Sequence, residues 1–516
     1  VPGGGPPGGP GDLLALLARA FAARSADAHV AGGAVRDRLL GRPSRDVDVI
    51  VAGDPAPACR EVAARAGATV VVMDEPRGHL RIAFPHSRNA APSHSRSAAG
   101  RSTAPPAWVD VASRAGSLAD DLNRRDFTVN AMAVPLSRWL DSAELDSVVD
   151  PTGGRGDLGA RLIRQVSPAA LDDDPVRIVR ACRFAADLGF EIEPRTSAAI
   201  VTRAPLAAGV AAERLRTELF ETIAGGHAVR GIRLLDSHGL LDVLLPEVCR
   251  GRGVSQPRQH HYWDVFEHCV HTVGEVERLL DPGVRATDPI AARLAMPPQL
   301  EGYFDEVVGD DLSRLALLKV AALLHDVAKP ETKAVQADGR TRFFGHEEQG
   351  AEVAAGILRR YRASRRTVAH VSLMVREHLR PVQLSDAVRP PTARAVFRYF
   401  RDVAPVAADT VFLAAADYLA ARGPMLDPAD WERHADMLGD ILRRGFEAQR
   451  ESKPSLLFDG HQVQRLLGLP PGPEIGRLLK MLREAEAAGE VQTQEEALDL
   501  LREAVREGGG PGRSSE

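Results

Sequence analysis

Hydrophobic residues along the chain switch between two spacings. Residues 12–24 (DLLALLARAFAAR) and 56–66 repeat apolar positions every three or four, as a helix with one buried face requires. Around them stand short apolar runs of strand length: AHVA at 28–31, DVDVIV at 46–51, TVVVM at 69–73, HLRIAF at 79–84 and WVDVA at 108–112. After residue 150 helical spacing takes over, through VRIVRACRFAADL, AAERLRTELFETI, WDVFEHCVHTV and LLKVAALLH to GRLLKMLREAEAAG. The pattern predicts an α+β chain, with a mixed sheet and helices first and an all-α remainder after it. Residues 281–311 read as a loop or insertion between helices. Residues 85–106, rich in Ser, Pro and Ala and without a period, read as a flexible insertion between two strands, and 1–11 and 506–516 as disordered tails.

Composition narrows the picture. A chain of 516 residues suffices for three or four domains, and a formal net charge of -5 excludes a global basic field. Binding to a polyanion would rest on local clustering of basic side chains, nearly all of them Arg. The four cysteines, Cys59, Cys182, Cys249 and Cys269, form no CxxC pair, which points to a reducing cytosol rather than a disulfide framework or zinc ribbon. No apolar run is long enough to cross a bilayer, and the first ten residues lack the basic start and apolar core of a signal peptide.

The stretch with the densest chemistry is AHVAGGAVRDRLLGRPSRDVDVIV, residues 28–51. It reads as strand, Gly32-Gly33 turn, short helix opening with Val35, Arg36 and Asp37, and second strand. Asp46 and Asp48 stand two apart on that second strand, so their side chains leave the same face and both reach one cation. Carboxylate oxygens suit Mg²⁺, whose shell is usually completed by water and substrate phosphates. A turn without side chains, followed by a helix start, lets backbone N–H groups approach an anion. The unit looks built for a nucleoside triphosphate.

Here the chain resembles the nucleotidyltransferase superfamily that includes DNA polymerase beta, and within it the bacterial class II tRNA nucleotidyltransferase and poly(A) polymerase family. Further motifs of that family follow in order: DLNRRDFTVNAMAV at 121–134, DDDPVRIVRACRFAADLGFEIEPRT at 172–196 and AAERLRTELFETI at 211–223. Asp173 stands where the family usually has Glu, and the chain between Arg114 and Asp120 is shorter than in many relatives. The resemblance implies that Asp46 and Asp48 hold Mg²⁺, with Asp110 as a third carboxylate on a neighbouring strand. It further implies that Gly32, Gly33, Arg36 and Asp37 position the triphosphate, and that Arg124, Arg125, Asp126 and Asn130 lie at sugar and phosphates. Asp174 and Arg177, three apart and expected on one helix face, would select C and A by their base edges. Glu213, Arg214 and Glu218 are expected to brace the helical neck.

A second constellation follows. His268, the adjacent His325-Asp326 and the distant Asp417 come in the ligand order of HD-type phosphohydrolases. Imidazole with carboxylate suits a transition metal such as Mn²⁺, Ni²⁺, Fe or Zn²⁺. His346 and His378 would hold a second ion or the scissile phosphate, and Lys329 would pair with phosphate oxygens. His260, His261 and His271 fit no ligand slot and read as surface or packing residues. The expected layout is a head at 12–150, a helical neck at 151–250, an HD domain at 251–425 and a helical C-terminal region at 426–505. The expected activity is template-independent addition of C and/or A from CTP and ATP to the 3′ end of tRNA. The alternatives are CC-only, A-only or poly(A) addition, or RNA-end repair by a phosphatase or 2′,3′-cyclic phosphodiesterase at the HD site.

Overall fold

A computed structural model describes residues 10–44, 46–76, 78–83, 108–141, 147–384, 390–451, 457–487 and 489–508. The insertion expected at 85–106 lies outside the described residues. Helices enter both stretches expected as tails. A helix, α1, spans Pro10–Ala22, and the last helix, Gln494–Gly508, runs beyond 505. Proline at a first helical position gives up no intrahelical hydrogen bond, so composition misleads there.

The strands are β1 (Ala28–Ala31), β2 (Asp46–Ala52), β3 (Thr69–Asp74), β4 (His79–Ala83), β5 (Trp108–Arg114) and β6 (Ala133–Pro135). They form one sheet in the order β3-β4-β5-β2-β1-β6, antiparallel except for the parallel pair β2 and β5. Alternation decides its two faces. Val47, Val49 and Val51 lie in register with Val109, Val111 and Ser113, and the valines are buried. The opposite parity gives a row across four strands: Ala31, Asp48, Asp110 and Arg81. Leu13, Leu17 and Phe21 of α1 and Cys59 and Val62 of α3 (Ala56–Ala66) are fully buried and supply the helical side of this core.

The chain divides into two compact units. The first holds Val1–Cys249 with Asp305–Ala316 and Ile357–Ser364; the second holds the remaining segments from Arg250 onward. Within the second, helices Val265–Leu280 and Ala407–Arg422 lie against each other and carry the apolar core. Helices Gly460–Leu467, Pro473–Ala487 and Gln494–Gly508 build a separate apolar cluster around Val463, Leu478, Leu482 and Leu501. Glu484 of this group receives Arg398 and Arg401.

The stretch 281–311, expected as a loop, contains the short helices Pro282–Arg285 and Pro289–Arg293 and the strand Val307–Gly309. Asp281 accepts from the N–H groups of Gly283 and Val284, and Asp288 from that of Ile290. Asp followed by Pro starts a helix well, but helices of four and five residues are too short to show a period. Among the described residues no single helix is long and apolar enough to cross a membrane. None of the four cysteines is in a disulfide.

Candidate active site and metal centre

In the first unit the polar row of the sheet meets the turn after β1. Gly32 has φ +78° and ψ −137°, a conformation that glycine adopts without penalty. Its N–H donates to the Met132 carbonyl at 3.1 Å. A Cβ built on Gly32 would lie 2.7 Å from Arg125 Nη1 and 3.6 Å from Asp48 Oδ2, so the missing side chain is what lets the turn close over these two groups. The helix α2, Gly33–Leu39, starts there without a side-chain cap, leaving its first N–H groups without the usual acceptor.

Asp48 is solvent-exposed at the open face of the sheet. Surrounding protein nevertheless raises its pKa by desolvation, with Asp110 adding to the shift and Arg125 opposing it. Asp110 stands beside it in register, but both of its oxygens are taken by Arg81, at 2.7 Å each. Arg81 also stacks over Trp108, 4.8 Å from the ring centroid. For Asp46 the backbone register opposite Trp108 is defined, and its side chain lies outside what is described.

A buried hydrogen-bond lattice adjoins the turn. Arg36 donates from Nη1 to Asn130 Oδ1 at 2.7 Å and from Nε to Asp37 at 2.9 Å. Asn130 Nδ2 donates to Asp126 Oδ1 at 3.1 Å, which also accepts the Phe127 N–H, and Arg180 approaches Asp126 Oδ2 at 3.0 Å. Phe184 lies under the guanidinium groups of Arg36, Arg180 and Arg183. Arg125 reaches the Asn130 carbonyl at 3.4 Å, whereas Arg124 is exposed and donates to the Ala115 carbonyl.

The pair expected on one helix face is built differently. Asp174 has extended backbone, φ −150° and ψ 95°, and Pro175 caps the helix Val176–Leu188 that carries Arg177. A residue before proline is driven out of the helical region, which the spacing argument overlooked. The two side chains still come within 4.0 Å. Arg177 is held by the carbonyls of Arg124, Arg125 and Ala170. Asp174 takes a bidentate pair from Arg214, at 3.0 and 2.7 Å. Burial works to raise the Asp174 pKa, and Arg214 with Arg177 more than offsets it, so the net shift is downward. Arg214, expected only to brace the neck, thus acts directly on the base-selection candidate. Glu218 does brace it, through Arg183 at 2.6 Å, while Glu213 pairs with Arg362.

The second unit assembles the other candidates into one buried cluster. His268 comes from helix Val265–Leu280 and Asp417 from Ala407–Arg422. His325 and Asp326 follow helix Arg314–Leu324, His378 follows Arg365–Glu377, and His346 opens His346–Arg360. His268 Nε2 lies 3.0 Å from Asp417 Oδ1, 3.1 Å from His325 Nε2 and 3.4 Å from Asp326 Oδ2. His346 and His378 Nε2 lie 3.4 and 3.9 Å from the other oxygen, Asp326 Oδ1. Two ligand triads therefore share one carboxylate: His268, His325, Asp326 and Asp326, His346, His378.

The ring orientations carry more information than the distances. Nδ1 of His325, His346 and His378 points at the carbonyl three residues earlier, of Ala322, Phe343 and Val375, at 2.8, 2.7 and 2.6 Å. A carbonyl only accepts, so each Nδ1 carries a proton; the Nε2 of His346 and His378 presents a lone pair to the interior, while Asp326 and Asp417 raise the His325 imidazole to about 10 against its burial. The Nε2 atoms of His346 and His378 are buried without a hydrogen-bond partner and face Asp326 Oδ1, while Asp326 Oδ2 is met by Lys329 Nζ at 2.6 Å. Lone pairs and carboxylate oxygens crowded in this way repel unless a cation lies between them, and backbone-anchored Nδ1–H is the usual support of a metal-bound histidine. The donor set fits a divalent transition metal. Burial pushes the His378 imidazole down to about 3, and Lys329, 2.6 Å from Asp326 Oδ2, helps His325 hold that carboxyl well below the usual range against its burial.

A cavity of about 320 Å³ opens onto this cluster, lined by Asp326, His346, His378 and Asp417 together with Lys329 and the hairpin residues Thr341–Phe344. His260 and His261 line it too, contrary to the expectation that they lie outside the site. The His261 ring meets His268 edge-on at 5.2 Å. His271, by contrast, stacks on Trp263 at 4.2 Å, as a packing residue does.

Residues 28–164 match the poly A polymerase head domain, 189–251 the probable RNA and SrmB-binding site of polymerase A, and 290–422 the HD domain. The chain is 37% identical to the A-adding tRNA nucleotidyltransferase of Deinococcus radiodurans, over 91% of this chain and 94% of that protein. It is 35% identical to the CC-adding tRNA nucleotidyltransferase of Thermus thermophilus, over 92% and 93%. Its fold is similar to that of the Thermotoga maritima CCA-adding enzyme complexed with tRNA, with TM-score 0.57, 19% identity and coverage of 96% and 95%. Motif order, sheet, neck and HD cluster converge: the chain belongs to the family of tRNA nucleotidyltransferases and poly(A) polymerases, in the branch that carries an HD domain.

Proposed function

We propose that this protein transfers nucleotides from CTP and ATP, without a template, to the 3′ end of tRNA and releases pyrophosphate. The observation that carries the reading is the register of Asp48 with Asp110 directly beneath the side-chain-free turn at Gly32. In this reaction the tRNA 3′-oxygen bonds to the α-phosphorus, the α–β bridging P–O bond breaks, and the hydroxyl proton leaves to a nearby base. Asp46 and Asp48 are the residues that would hold Mg²⁺, which when bound supplies charge neutralisation at the triphosphate and activation of the hydroxyl. Desolvation raises the pKa of Asp48, a cost that a bound cation would offset.

The remaining roles belong to the chain itself. The uncapped N–H groups of α2 face the triphosphate with Arg125, and Gly33 keeps the approach free of side chain. Asp126, fixed by Asn130 and Arg180, accepts from ribose hydroxyls, and Arg36 and Asp37 hold that lattice in shape. Arg124 stays at the solvent edge of the phosphates. Asp110 shares its charge between Arg81 and the neighbourhood of Asp48. Arg177 and Asp174 offer donor and acceptor to a base edge. Each carboxylate oxygen of Asp174 has a second lone pair that the Arg214 pair leaves available.

The two compared relatives differ in which nucleotide they add while being 37% and 35% identical to this chain, so overall similarity does not select between A, CC and CCA addition. Purified protein incubated with tRNAs ending before, between and after the two terminal cytidines, with one labelled nucleotide at a time, decides it. Incorporation of C at the first two stages and A at the third supports CCA addition. A repeated run of A supports a poly(A) polymerase, and absence of incorporation at every stage overturns the reading.

A second reading rests on the histidine cluster. The HD half acts as a metal-dependent phosphohydrolase in which His268, His325, Asp326 and Asp417 hold one ion, Mn²⁺, Ni²⁺, Fe or Zn²⁺. His346 and His378, sharing Asp326, would hold a second. The four cysteines, none of them in a disulfide, fit a reducing cytosol.

A further inference from the structure

Part of the cavity wall comes from a small hairpin, Lys333–Val335 with Thr341–Phe343, that belongs to none of the family motifs in the head or neck. Its register pairs Lys333 with Phe343, Ala334 with Arg342 and Val335 with Thr341. The return strand runs into Phe344 and Gly345, and Gly345 at φ +71° turns the chain so that the next residue, His346, enters the metal cluster. A ligand-bearing helix is thus tethered within two residues to the side chains at the mouth of the cavity.

Those side chains are unusual for a surface. Phe344 is 68% exposed while lining the cavity, although burying such a ring would be worth about 2 kcal/mol. Arg342 beside it is exposed and has no acidic partner among the described residues. Lys329 lies deeper, its Nζ 5.4 Å from the Phe343 ring centroid and bonded to Asp326 and Gln256. Cation, flat ring and carboxylate-bound lysine form a gradient from the mouth to the metal cluster. The cavity, at about 320 Å³, is at the small end of ligand pockets, which span roughly 300–1,000 Å³.

We propose that the hairpin is the specificity element of the HD site: Phe344 stacks on the ring of a phosphate ester that carries a nucleobase, and Arg342 pairs with its anionic group. This rests on the second reading above, that the cluster acts on phosphate esters. Base stacking on an aromatic side chain tolerates any base, because each has a π-face, so the site accepts ring-bearing phosphate esters as a class and disfavours ring-free ones. Free nucleotides and RNA 3′ ends share this chemistry.

The test is titration calorimetry on the full chain loaded with Mn²⁺. The ligands are adenosine monophosphate, glycerol phosphate and a short oligoribonucleotide ending in a 3′-phosphate. Sites in the head are the same in wild type and hairpin variants, so the difference between them isolates the cavity. Phe344→Ala weakens adenosine monophosphate by about tenfold, leaves glycerol phosphate unchanged, and is rescued by Phe344→Trp. Arg342→Ala weakens all three ligands. Phe344-dependent binding tighter for the oligoribonucleotide than for the mononucleotide assigns the RNA end as the ligand, and equal binding assigns the free nucleotide. Equal affinity of wild type and Phe344→Ala for adenosine monophosphate overturns the proposal. Phosphate release from the same mixtures is scored separately: its absence in wild type refutes the phosphohydrolase reading, while the titration still decides the hairpin's role.

Discussion

The sheet site of the head and the histidine cluster of the second unit meet the cost of concentrated charge in opposite ways. In the first unit, three carboxylates of the candidate site are each matched by an arginine: Asp110 by Arg81, Asp126 by Arg180, Asp174 by Arg214. Solvent and guanidinium groups carry the charge, and a substrate enters by exchanging partners. In the histidine cluster, His268, His325 and Asp326 are buried completely, and the Nε2 atoms of the adjoining His346 and His378 are buried without a hydrogen-bond partner. Backbone carbonyls fix which ring nitrogen holds the proton, so the interior is prepared for a cation rather than for exchange. A site that must release a long polymer after each step gains from the first arrangement. A site that keeps its metal gains from the second.

The largest effect expected from breaking this contrast is on metal retention. The double variant His325→Ala, Asp326→Ala removes the shared carboxylate and one imidazole. It should lose all metal from the second unit by elemental analysis after gel filtration, while nucleotide incorporation stays within about twofold of wild type, since sites without shared partners are additive. Metal-free protein with intact incorporation would confirm that the two centres work independently.

Gly32→Ala sharpens the head side of the comparison. The substitution adds a Cβ 2.7 Å from Arg125 Nη1 at a backbone conformation with φ +78°, which costs about 1–3 kcal/mol. If that strain falls on the nucleotide site, kcat/KM for incorporation drops by about tenfold or more, with KM for the nucleotide rising, and the metal content of the histidine cluster is unchanged.

Arg214→Ala is the mildest. The Asp174–Arg214 pair is partly exposed, so its stability contribution is below about 1 kcal/mol. The sign of its pH dependence is fixed by the depressed pKa of Asp174. The contribution is present above the unfolded carboxylate value near about 3.9 and disappears as pH falls through the lower folded value. Urea melts should therefore separate wild type from variant at pH 7 and converge in acid. The same variant should alter the ratio of C to A incorporation, since Asp174 loses the group that orients it. An unchanged ratio would return Arg214 to a bracing role.

Much of this was legible in the sequence because it is local. The alternation of Asp46, Val47, Asp48 and Val49 declares a strand with one acidic face, and the strands from residue 28 to 114 and the helix at 56–66 were found within one or two residues. The candidate HD ligands were legible as an order along the chain, and the fold brings all six together. What was not legible is pairing over distance. Arg81 and Asp110 are 29 residues apart, Arg214 and Asp174 are 40 apart, and Arg36 and Asn130 are 94 apart. In a chain whose basic residues are nearly all arginine, nothing local marks which arginine serves a site. His260 and His261 escaped for a related reason, since a histidine pair in a loop has no period to say which way it faces. Asp174 was misplaced on a helix although Pro175 beside it carried the contrary signal.

The account stands most directly on Asp48. Asp48→Ala should fold as wild type does, keep its affinity for tRNA and keep the metal of the second unit, yet incorporate no labelled CMP or AMP above background at any stage of the 3′ end. Incorporation by Asp48→Ala at a rate comparable to wild type would contradict the assignment of the sheet site as the place where nucleotide transfer occurs.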